Sequence, residues 1–377
     1  MVSAEVQSIH QTNITIQFEL KMKTIKTDRD LARHIIEFDP DDAATYASWT
    51  LPQARAMTRS TLAPIPWPAG LAPKPKPLAK APAPSAPLPA CDYLVVTWTV
   101  AEALALSDVL TPGYESKTDW YDYAHNYAST FAPLIRAGAP ASESKRLGSY
   151  FVTNIGAKKV VCLKSELHMS QDGPKLPIKL LWQQMLQETQ AKLIITTGTA
   201  GGIGGSIELG DVVIAKSVRF DCTKTFKNAP FHDAIYNCST VSNKKFNTAN
   251  ALMAANASHL PVAKRNPSTF ARATKTITPL DVVTTDFFAY DATTNTYGLQ
   301  GLGSVVEMGD AVLGLVIQGL GAAAPRWTAV RNASDPQING ALPVPEQSKT
   351  AAQIYEKYGY WTTVCSAIAT WAVIAGD

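Results

Sequence analysis

One stretch, residues 193–221, constrains the fold of this chain more than any other. It begins with Leu-Ile-Ile-Thr-Thr, an apolar and β-branched run that predicts a buried strand ending at Thr197. Gly-Thr-Ala-Gly-Gly follows at 198–202 and predicts a loop at the carboxyl end of that strand. Backbone amides and a hydroxyl in such a loop can hold an oxyanion, a sugar or a water molecule. The stretch is therefore either a ligand cradle or only a tight structural crossover.

The glycine spacing excludes two common nucleotide-binding loops. No Gly-Lys-Ser/Thr follows, so the stretch is not a nucleoside-triphosphate P-loop, and its glycines do not fit the dinucleotide fingerprint. Glu-Leu-Gly-Asp at 208–211 then predicts a tight turn, and residues 212–215 predict another strand.

Residues 1–60 predict a small α+β module at the N-terminus. Apolar and polar residues alternate along 14–23, the period of a half-buried strand, and Leu31, Ile35 and Phe38 recur at helical spacing. A hairpin and short helices make a thin core that needs a partner to bury its apolar faces. The module is therefore either an extra layer on the main domain or a docking or dimerisation unit for a protein partner.

The rest of the chain divides at residue 90. Residues 61–90 are dominated by Pro and Ala with a few Lys, which predicts an extended, semi-rigid and solvated linker. Residues 91–377 alternate apolar strand patterns with helical patterns. Such alternation predicts an α/β domain with a largely parallel or mixed sheet.

The composition of the chain gives no support to several classes of function. A net charge of +3 over 377 residues gives no support to nucleic acid or an anionic membrane as a partner. Five scattered cysteines without a CxxC pair fit a reduced, cytoplasmic protein, and six histidines without ligand spacing give no support to a metal site. The N-terminus lacks a signal-peptide pattern, and the apolar C-terminus, 361–375, is too short to span a bilayer. No cofactor is indicated.

Polar groups follow four of the predicted strands: Glu102, Thr199, the pair Glu307-Met308, and Asp335. In open α/β sheets, ligands bind beyond the carboxyl ends of the strands. These groups are therefore expected to converge on one pocket despite their separation in sequence.

Four motifs stand in the order seen in a known family. They are Thr-Gly-Thr-Ala-Gly-Gly at 197–202, Gly-Asp-Val-Val-Ile at 210–214, Val-Glu-Met at 306–308 and Arg-Asn-Ala-Ser-Asp at 331–335. From about residue 91 to 377 the chain resembles the nucleoside phosphorylase and nucleosidase superfamily, above all the methylthioadenosine/S-adenosylhomocysteine nucleosidases. The resemblance implies a phosphorylase/hydrolase-like three-layer α/β domain with a central mixed sheet, and a homo-oligomer.

The resemblance also implies catalytic roles. Cleavage of a purine N-glycosidic bond needs an acid for the departing base and stabilisation of an oxocarbenium-like sugar. By similarity, Asp335 protonates the purine at N7, while Glu102 and Arg331 hold the attacking water. From the residues alone, a helix N-cap at Asp335 and an ordinary first-turn glutamate at Glu102 stay open.

Substrate contacts follow from the same resemblance. Phe287 or Phe288 would stack on the base, Met308 would pack on the sugar, and Glu307 would support the loop. The substrate-binding candidates are Thr199, Ala200, Gly201, Phe287, Phe288, Glu307, Met308, Asp310 and Ser334.

Two departures from the family pattern matter. The family usually has Val-Glu-Met-Glu, whose second glutamate grips the ribose 2′- and 3′-hydroxyls, whereas this chain has Gly309 at that place. Either Asp310 takes over, or the sugar is held differently, or the site is weakened. Phosphorylases of the family commonly place an arginine where Thr197 stands, so water is favoured over phosphate as the nucleophile.

The preferred hypothesis is hydrolysis of a purine nucleoside or nucleotide to free base and sugar or sugar phosphate. The first alternative is phosphorolysis by a purine nucleoside phosphorylase. The second is a regulated effector that cleaves a nucleotide such as AMP or ATP, or a non-catalytic nucleoside-binding protein, acting through its N-terminal module. Lysines at 145, 158, 159 and 164 permit phosphate contacts, although a solvated face explains them better.

Overall fold

The computed structural model describes residues 25–49, 62–260 and 282–377. The helices in these ranges are α1 Asp28–Glu37, α2 Val100–Leu110, α3 Pro140–Ser144, α4 Pro177–Thr189, α5 Phe246–Ala254, α6 Asp310–Leu320 and α7 Val344–Gly376. The strands are β1 Pro73–Pro75, β2 Tyr93–Thr97, β3 Tyr121–Tyr123, β4 Gly148–Ile155, β5 Lys158–Ser165, β6 Leu193–Gly202, β7 Val212–Ile214, β8 Ser217–Phe220, β9 Ile235–Asn237, β10 Val282–Thr284, β11 Val305–Glu307 and β12 Arg326–Asp335.

All the described strands belong to one mixed sheet that is built on β6. The main order is β1-β4-β5-β2-β6-β11-β10-β8-β9, with β3 beside β4 and with β12 between β6 and β7. Strand β12 runs parallel to β6 along one edge, while β2 and then β11 use the other edge. Strands β5, β2, β6 and β12 run parallel, so their carboxyl ends meet on one side of the sheet.

Helices cover both faces of this sheet. In β2, Leu94 and Val96 face the apolar cluster that contains Trp182 of α4, whereas Tyr93 and Val95 face the cluster that contains residues of α2, α5 and α7. Alternate residues of a strand point to opposite faces, so both faces of β2 are buried and its sequence is apolar throughout. The predicted three-layer α/β fold with a central mixed sheet is confirmed.

The predicted glycine loop at 198–202 is wrong, because β6 continues to Gly202. Strand β12 pairs with β6 as far as the register of Asp335 and Gly201, and β11 pairs with its last two residues. These partners keep the segment extended although its residues have low strand propensity. Gly198 adopts φ +142° there, a backbone conformation that side chains disfavour.

The described part of the N-terminal segment packs on the main domain. Thr27 caps α1 in a capping box with Asp30, and the helix predicted from the spacing of Leu31 and Ile35 is confirmed. Leu31 and Ile35 of α1 join an apolar cluster with Tyr355 of α7. The predicted hairpin falls in residues 1–24, outside the described ranges. The division into a separate docking module stays a prediction.

The prediction of a solvated linker is wrong for part of the stretch after residue 61. Pro73–Pro75 forms edge strand β1 against β4, where proline is tolerated because the outer edge needs no donor. Trp67 lies 4.8 Å from Trp371 between ring centroids, and the Trp371 indole N–H donates to the Leu71 carbonyl at 2.7 Å. The extended conformation is as expected, but these residues contact the core.

None of the helices in the described ranges combines the length and the apolar content needed to cross a membrane. The 33-residue α7 carries many apolar side chains, and most of them are buried against the sheet and α2.

Candidate active site

A pocket that is partly open to solvent lies where β2, β6, β11 and β12 meet. Of the residues nominated from the sequence, the pocket is lined by Glu102, Thr199, Ala200, Gly201, Phe288, Glu307, Met308, Arg331, Ser334 and Asp335.

Glu102 sits in the first turn of α2 with its carboxylate fully hydrogen-bonded. Its Oε2 accepts from the Thr97 hydroxyl at 2.7 Å and from the amides of Trp98 and Thr99 at 3.0 and 2.9 Å. Its Oε1 accepts from both the amide and the hydroxyl of Thr199 at 2.6 Å. The carboxylate thus ties the start of α2 to the middle of β6.

Two neighbours keep Glu102 ionised despite its burial. Burial raises the pKa of this carboxyl, but the Arg331 charge and the Thr199 hydrogen bonds outweigh it, so the pKa is lowered. The close approach requires glycine at 198, since a Cβ there would collide with the Glu102 carboxylate. This collision explains one glycine of the 198–202 stretch.

Arg331, on β12, is buried among three carboxylates. Its Nε donates to Asp310 Oδ2 at 2.8 Å, and its Nη2 donates to Asp310 Oδ1, which makes a bidentate pair. Nη1 lies 3.9 Å from Glu102 Oε1, and Nη2 lies 3.6 Å from Glu307 Oε2. The guanidinium also lies 4.9 Å from the Trp98 ring centroid, within cation–π range. Although burial alone would lower the pKa of Arg331, these carboxylates raise it, so the charge is permanent.

The structure places Asp310 behind Arg331 and outside the pocket lining. Of the three alternatives for the sugar, the one in which Asp310 takes over does not fit the structure, because both of its carboxylate oxygens bind the guanidinium. Gly309 lines the pocket in place of a side chain, 3.5 Å from the Trp98 ring as measured from an added Cβ.

Glu307 holds the turn between β11 and α6. Its carboxylate accepts from the amides of Gly309 and Asp310 at 2.5 and 3.0 Å and from the Thr284 hydroxyl. Burial and the Asp310 charge raise the pKa of Glu307. The side chain thus supports the loop, as the resemblance implied, while it lines the pocket.

Asp335 is the last residue of β12. No positive charge among the described residues shifts the pKa of its carboxyl. Its carboxyl is buried, and Oδ1 lies 3.0 Å from the Ser334 hydroxyl. Burial raises the pKa of Asp335 to about 7, against the opposing effect of Ser334. Gly201 leaves room for the carboxyl, since a Cβ there would lie 3.0 Å from Oδ2. Asp335 is therefore not a helix N-cap.

Only one of the two candidate phenylalanines lines the pocket. Phe288 does so, whereas Phe287 packs in a separate apolar cluster, 5.1 Å from Tyr297 between ring centroids. Of the two phenylalanines predicted to stack on the base, only Phe288 is therefore in a position to do so in this pocket. That it stacks on a base stays a prediction.

Several lining residues were not nominated from the sequence. They are Ile35, Ile36, Trp98, Thr99, His168, Ser170, Ala289, Val306, Gly309 and Tyr355. His168 and Ser170 follow β5, so the strand-end rule that found Glu102 could have found them. Ile35 and Tyr355 carry no local signal, because only the packing of α1 against α7 brings them to the pocket.

The Nε2 atom of His168 and the Nε1 atom of Trp98 are buried without a hydrogen-bond partner. Burial and the Lys164 charge lower the pKa of His168 to about 3, so its imidazole is neutral. Buried polar atoms are normally hydrogen-bonded, so each of these two has a hydrogen-bonding position that the described residues leave unused.

No group of three histidine, cysteine, aspartate or glutamate side chains arranged to hold a metal ion occurs among the described residues. The pocket instead offers carboxyl groups in two protonation states, one guanidinium, an aromatic ring and a thioether.

A family model described as the phosphorylase superfamily matches residues 122–335, more than half of the chain. A comparison with curated protein sequences finds no match.

Solved structures of nucleosidases are similar to this chain at low identity. The 5′-methylthioadenosine/S-adenosylhomocysteine nucleosidase of Helicobacter pylori is 13% identical, with a TM-score of 0.45, over 76% of this chain and 98% of that one. The corresponding enzyme of Neisseria meningitidis is 14% identical, with a TM-score of 0.44, over 76% and 99%. The futalosine hydrolase of Helicobacter pylori is 13% identical, with a TM-score of 0.44, over 75% and 97%.

Proposed function

The chain belongs to the phosphorylase superfamily, and we propose that it hydrolyses the N-glycosidic bond of a purine nucleoside or nucleotide. The products would be the free base and the sugar or sugar phosphate. Substrate specificity and residue roles are part of this proposal.

One observation carries the proposal: the pocket holds two carboxyl groups whose surroundings move their pKa values in opposite directions. Burial raises the pKa of Asp335 to about 7, whereas Arg331 and Thr199 keep that of Glu102 low although burial opposes them. Pairs of this kind commonly divide the acid role from the ionised role in glycoside cleavage.

Asp335 acts as the acid in this proposal. As the bond between C1′ and the base nitrogen breaks, its electron pair moves into the purine ring. The Asp335 proton passes to the purine at N7, so the base leaves neutral. Ser334 positions the carboxyl through its hydroxyl at 3.0 Å, and Phe288 contributes an aromatic face for the base.

Glu102 and Arg331 act on the sugar side. The departing base leaves positive charge at C1′, which the ionised Glu102 stabilises. Arg331 Nη1 and Glu102 Oε1 are 3.9 Å apart, so one water between them can accept from the guanidinium. For that water to donate to Oε1, Thr199 releases one of its two hydrogen bonds to this oxygen. The water oxygen bonds to C1′ and releases a proton that solvent returns to Asp335.

In this proposal the sugar is held without a carboxylate from position 309, because that residue is glycine. Thr199, Met308 and the backbone of Gly309 line this part of the pocket, while the carboxylates of Glu307 and Asp310 are already bound. We expect weaker selection for the 2′- and 3′-hydroxyls than a dedicated glutamate gives.

The test is base release from purine nucleosides and nucleotides in water enriched in heavy oxygen, with and without phosphate. Hydrolysis predicts free base by chromatography and one heavy oxygen in the released sugar. Asp335→Asn serves as the inactive control.

Two results would contradict the proposal. A strict phosphate requirement, with a sugar phosphate that lacks the heavy oxygen, would identify a phosphorylase. Binding of nucleosides without release of base from any of them would identify a non-catalytic binding protein.

A further inference from the structure

A second cleft opens beside the pocket, and Ser170 lies in the wall of both. Three segments surround this cleft: the first turn of α1 with Arg29, the loop before α3 with Arg136, and the loop after β8 with Lys224. The cleft therefore brings three cationic side chains to the mouth of the candidate active site.

The charge of Arg136 is poorly compensated. Among the described residues the structure shows no ion pair or hydrogen bond at the guanidinium of Arg136 or of Arg29, and Arg136 is only half-exposed. The carboxyl that acts on Arg136 is Asp172, whose pKa is raised by burial despite the arginine. Asp172 is thus driven toward its neutral form, and the arginine keeps its charge for another partner.

Two acidic residues also line the cleft, and they offset part of the charge of the three cations. The Asp286 carboxylate accepts from the amides of Thr223 and Lys224 at 3.2 Å and of Phe226 at 2.8 Å, so it holds the loop. Asp28 lies 3.8 Å from the Lys224 ammonium, with both side chains more than half exposed. An exposed pair of this kind contributes little and can separate.

Polar atoms without partners connect the pocket to this cleft. His168 Nε2 and Ser170 Oγ are buried, lack a hydrogen-bond partner and line the pocket. His168 is 4% exposed and its imidazole is neutral. Both residues lie in one loop after β5, so a ligand that meets them would point toward the cleft.

The order of the strands sets the direction in which a substrate would lie. Strands β5, β2, β6 and β12 are neighbours in that order, and they lead to His168, Glu102, Thr199 and Asp335 respectively. Neighbouring strands are about 4.8 Å apart, so β5 and β12 are separated by roughly 14 Å. With the base at Asp335 and C1′ near Glu102, the 5′ end of the sugar reaches the β5 side.

We propose that the substrate carries a phosphate ester on its 5′ carbon, and that Arg29, Arg136 and Lys224 bind this phosphate while Ser170 and His168 meet the atoms that join it to the sugar. The inference rests on the proposed function, since it assumes a nucleoside moiety in the pocket. Guanidinium groups match the oxygens of a phosphate in geometry, as they do those of a carboxylate.

The test compares kcat/KM for a purine nucleoside with that for its 5′-monophosphate and 5′-triphosphate. A 5′-phosphate is expected to raise kcat/KM at least about tenfold, the effect of one charge-assisted hydrogen bond. Arg136→Gln and Lys224→Gln are each expected to lower the ratio of nucleotide to nucleoside by roughly tenfold. Lys227→Gln is the matched control, because Lys227 is exposed in the same loop and lines neither cavity.

Equilibrium binding of the same compounds by calorimetry gives a readout that does not depend on turnover. Tighter binding of the nucleotide, lost in Arg136→Gln, supports the inference even if no base is released and the proposed function fails. Base release with no preference for nucleotides overturns the inference and leaves the proposed function intact. Saturable acceleration of nucleoside cleavage by inorganic phosphate, lost in Arg136→Gln, also overturns it, because the cleft would then bind free phosphate.

Discussion

At the two ends of the candidate active site, the pKa values of buried carboxyl groups are shifted in opposite directions, down for Glu102 and up for Asp335. At the Arg331 end, one guanidinium lies within 4 Å of three carboxylates, those of Glu102, Glu307 and Asp310. At the Asp335 end, the carboxyl lies beside the Ser334 hydroxyl, and no cation among the described residues shifts its pKa. Burial is nearly complete at both ends, so the neighbours alone make the difference.

This difference indicates which carboxyl group can donate a proton. Glu102, held by Arg331 and several donors, stays ionised, whereas Asp335, which is buried without such partners, keeps its proton. Glu307 does not follow this contrast, because burial and the Asp310 charge raise its pKa although Arg331 lies 3.6 Å away. The Arg331 end is therefore suited to stabilise positive charge, and the Asp335 end to protonate a leaving group. Substitutions at either end of the site test this contrast.

The largest effect is expected for Asp335→Asn. Asparagine keeps the shape but has no acidic proton, so kcat for base release should fall by roughly a hundredfold to ten-thousandfold, the usual contribution of a general acid. The measurement is chromatographic detection of free purine. The control is Asp233→Asn at an exposed aspartate, and equal activity of Asp335→Asn and wild type would remove Asp335 from the mechanism.

Arg331→Met tests the other end through stability. The substitution leaves buried carboxylates without their cation, which costs about 3–5 kcal/mol of unfolding free energy. Urea denaturation measures the change. In the matched control, Arg326→Met, the lost partner is Asp377 near the surface, so the cost should stay below about 1 kcal/mol. Equal losses in the two variants would show that the Arg331 cluster is not specially stabilised.

Gly198→Ala perturbs the connection between Glu102 and β6. The new Cβ would collide with the Glu102 carboxylate and occupy a φ of +142°, so we expect a loss of about 1–3 kcal/mol in unfolding free energy. Gly205→Ala is the control, because its Cβ would meet only the Gln337 amide oxygen at 3.5 Å. If both variants unfold at the same urea concentration, the close approach of Glu102 to Gly198 is relaxed in solution.

The fold class was easier to predict from sequence than the path of the central segment. Alternation of apolar strands and helices predicted an α/β domain with a largely parallel or mixed sheet, because burial of whole strands leaves a local signature. The three-layer form was implied by the family resemblance. The extension of β6 through 198–202 leaves none, since it depends on β12 and β11, which lie more than a hundred residues further along the chain.

The site shows the same limit. Ten of the nominated residues line the pocket. The strand-end rule predicted five of them, and the family resemblance supplied the other five. Asp310 could not be excluded from sequence, since its pairing with Arg331 depends on the distance between α6 and β12 in the folded chain. Ile35 and Tyr355 were missed because they reach the pocket through helix packing alone. The roles of all these residues stay predictions.

Measured over one pH unit, the smallest effect is the pH dependence that Asp335 adds to stability. Its pKa is raised by burial from 3.8 to about 7 in the folded protein, so the folded state holds a proton that the unfolded state releases in between. This stabilisation is complete below the unfolded pKa and is lost as pH rises through the folded pKa, with a slope of at most about 1.4 kcal/mol per pH unit. Urea unfolding across that window should show the slope in wild type and a flatter curve in Asp335→Asn. Parallel curves would mean that Asp335 is ionised in the folded protein, and the contrast between the two ends of the site would be lost.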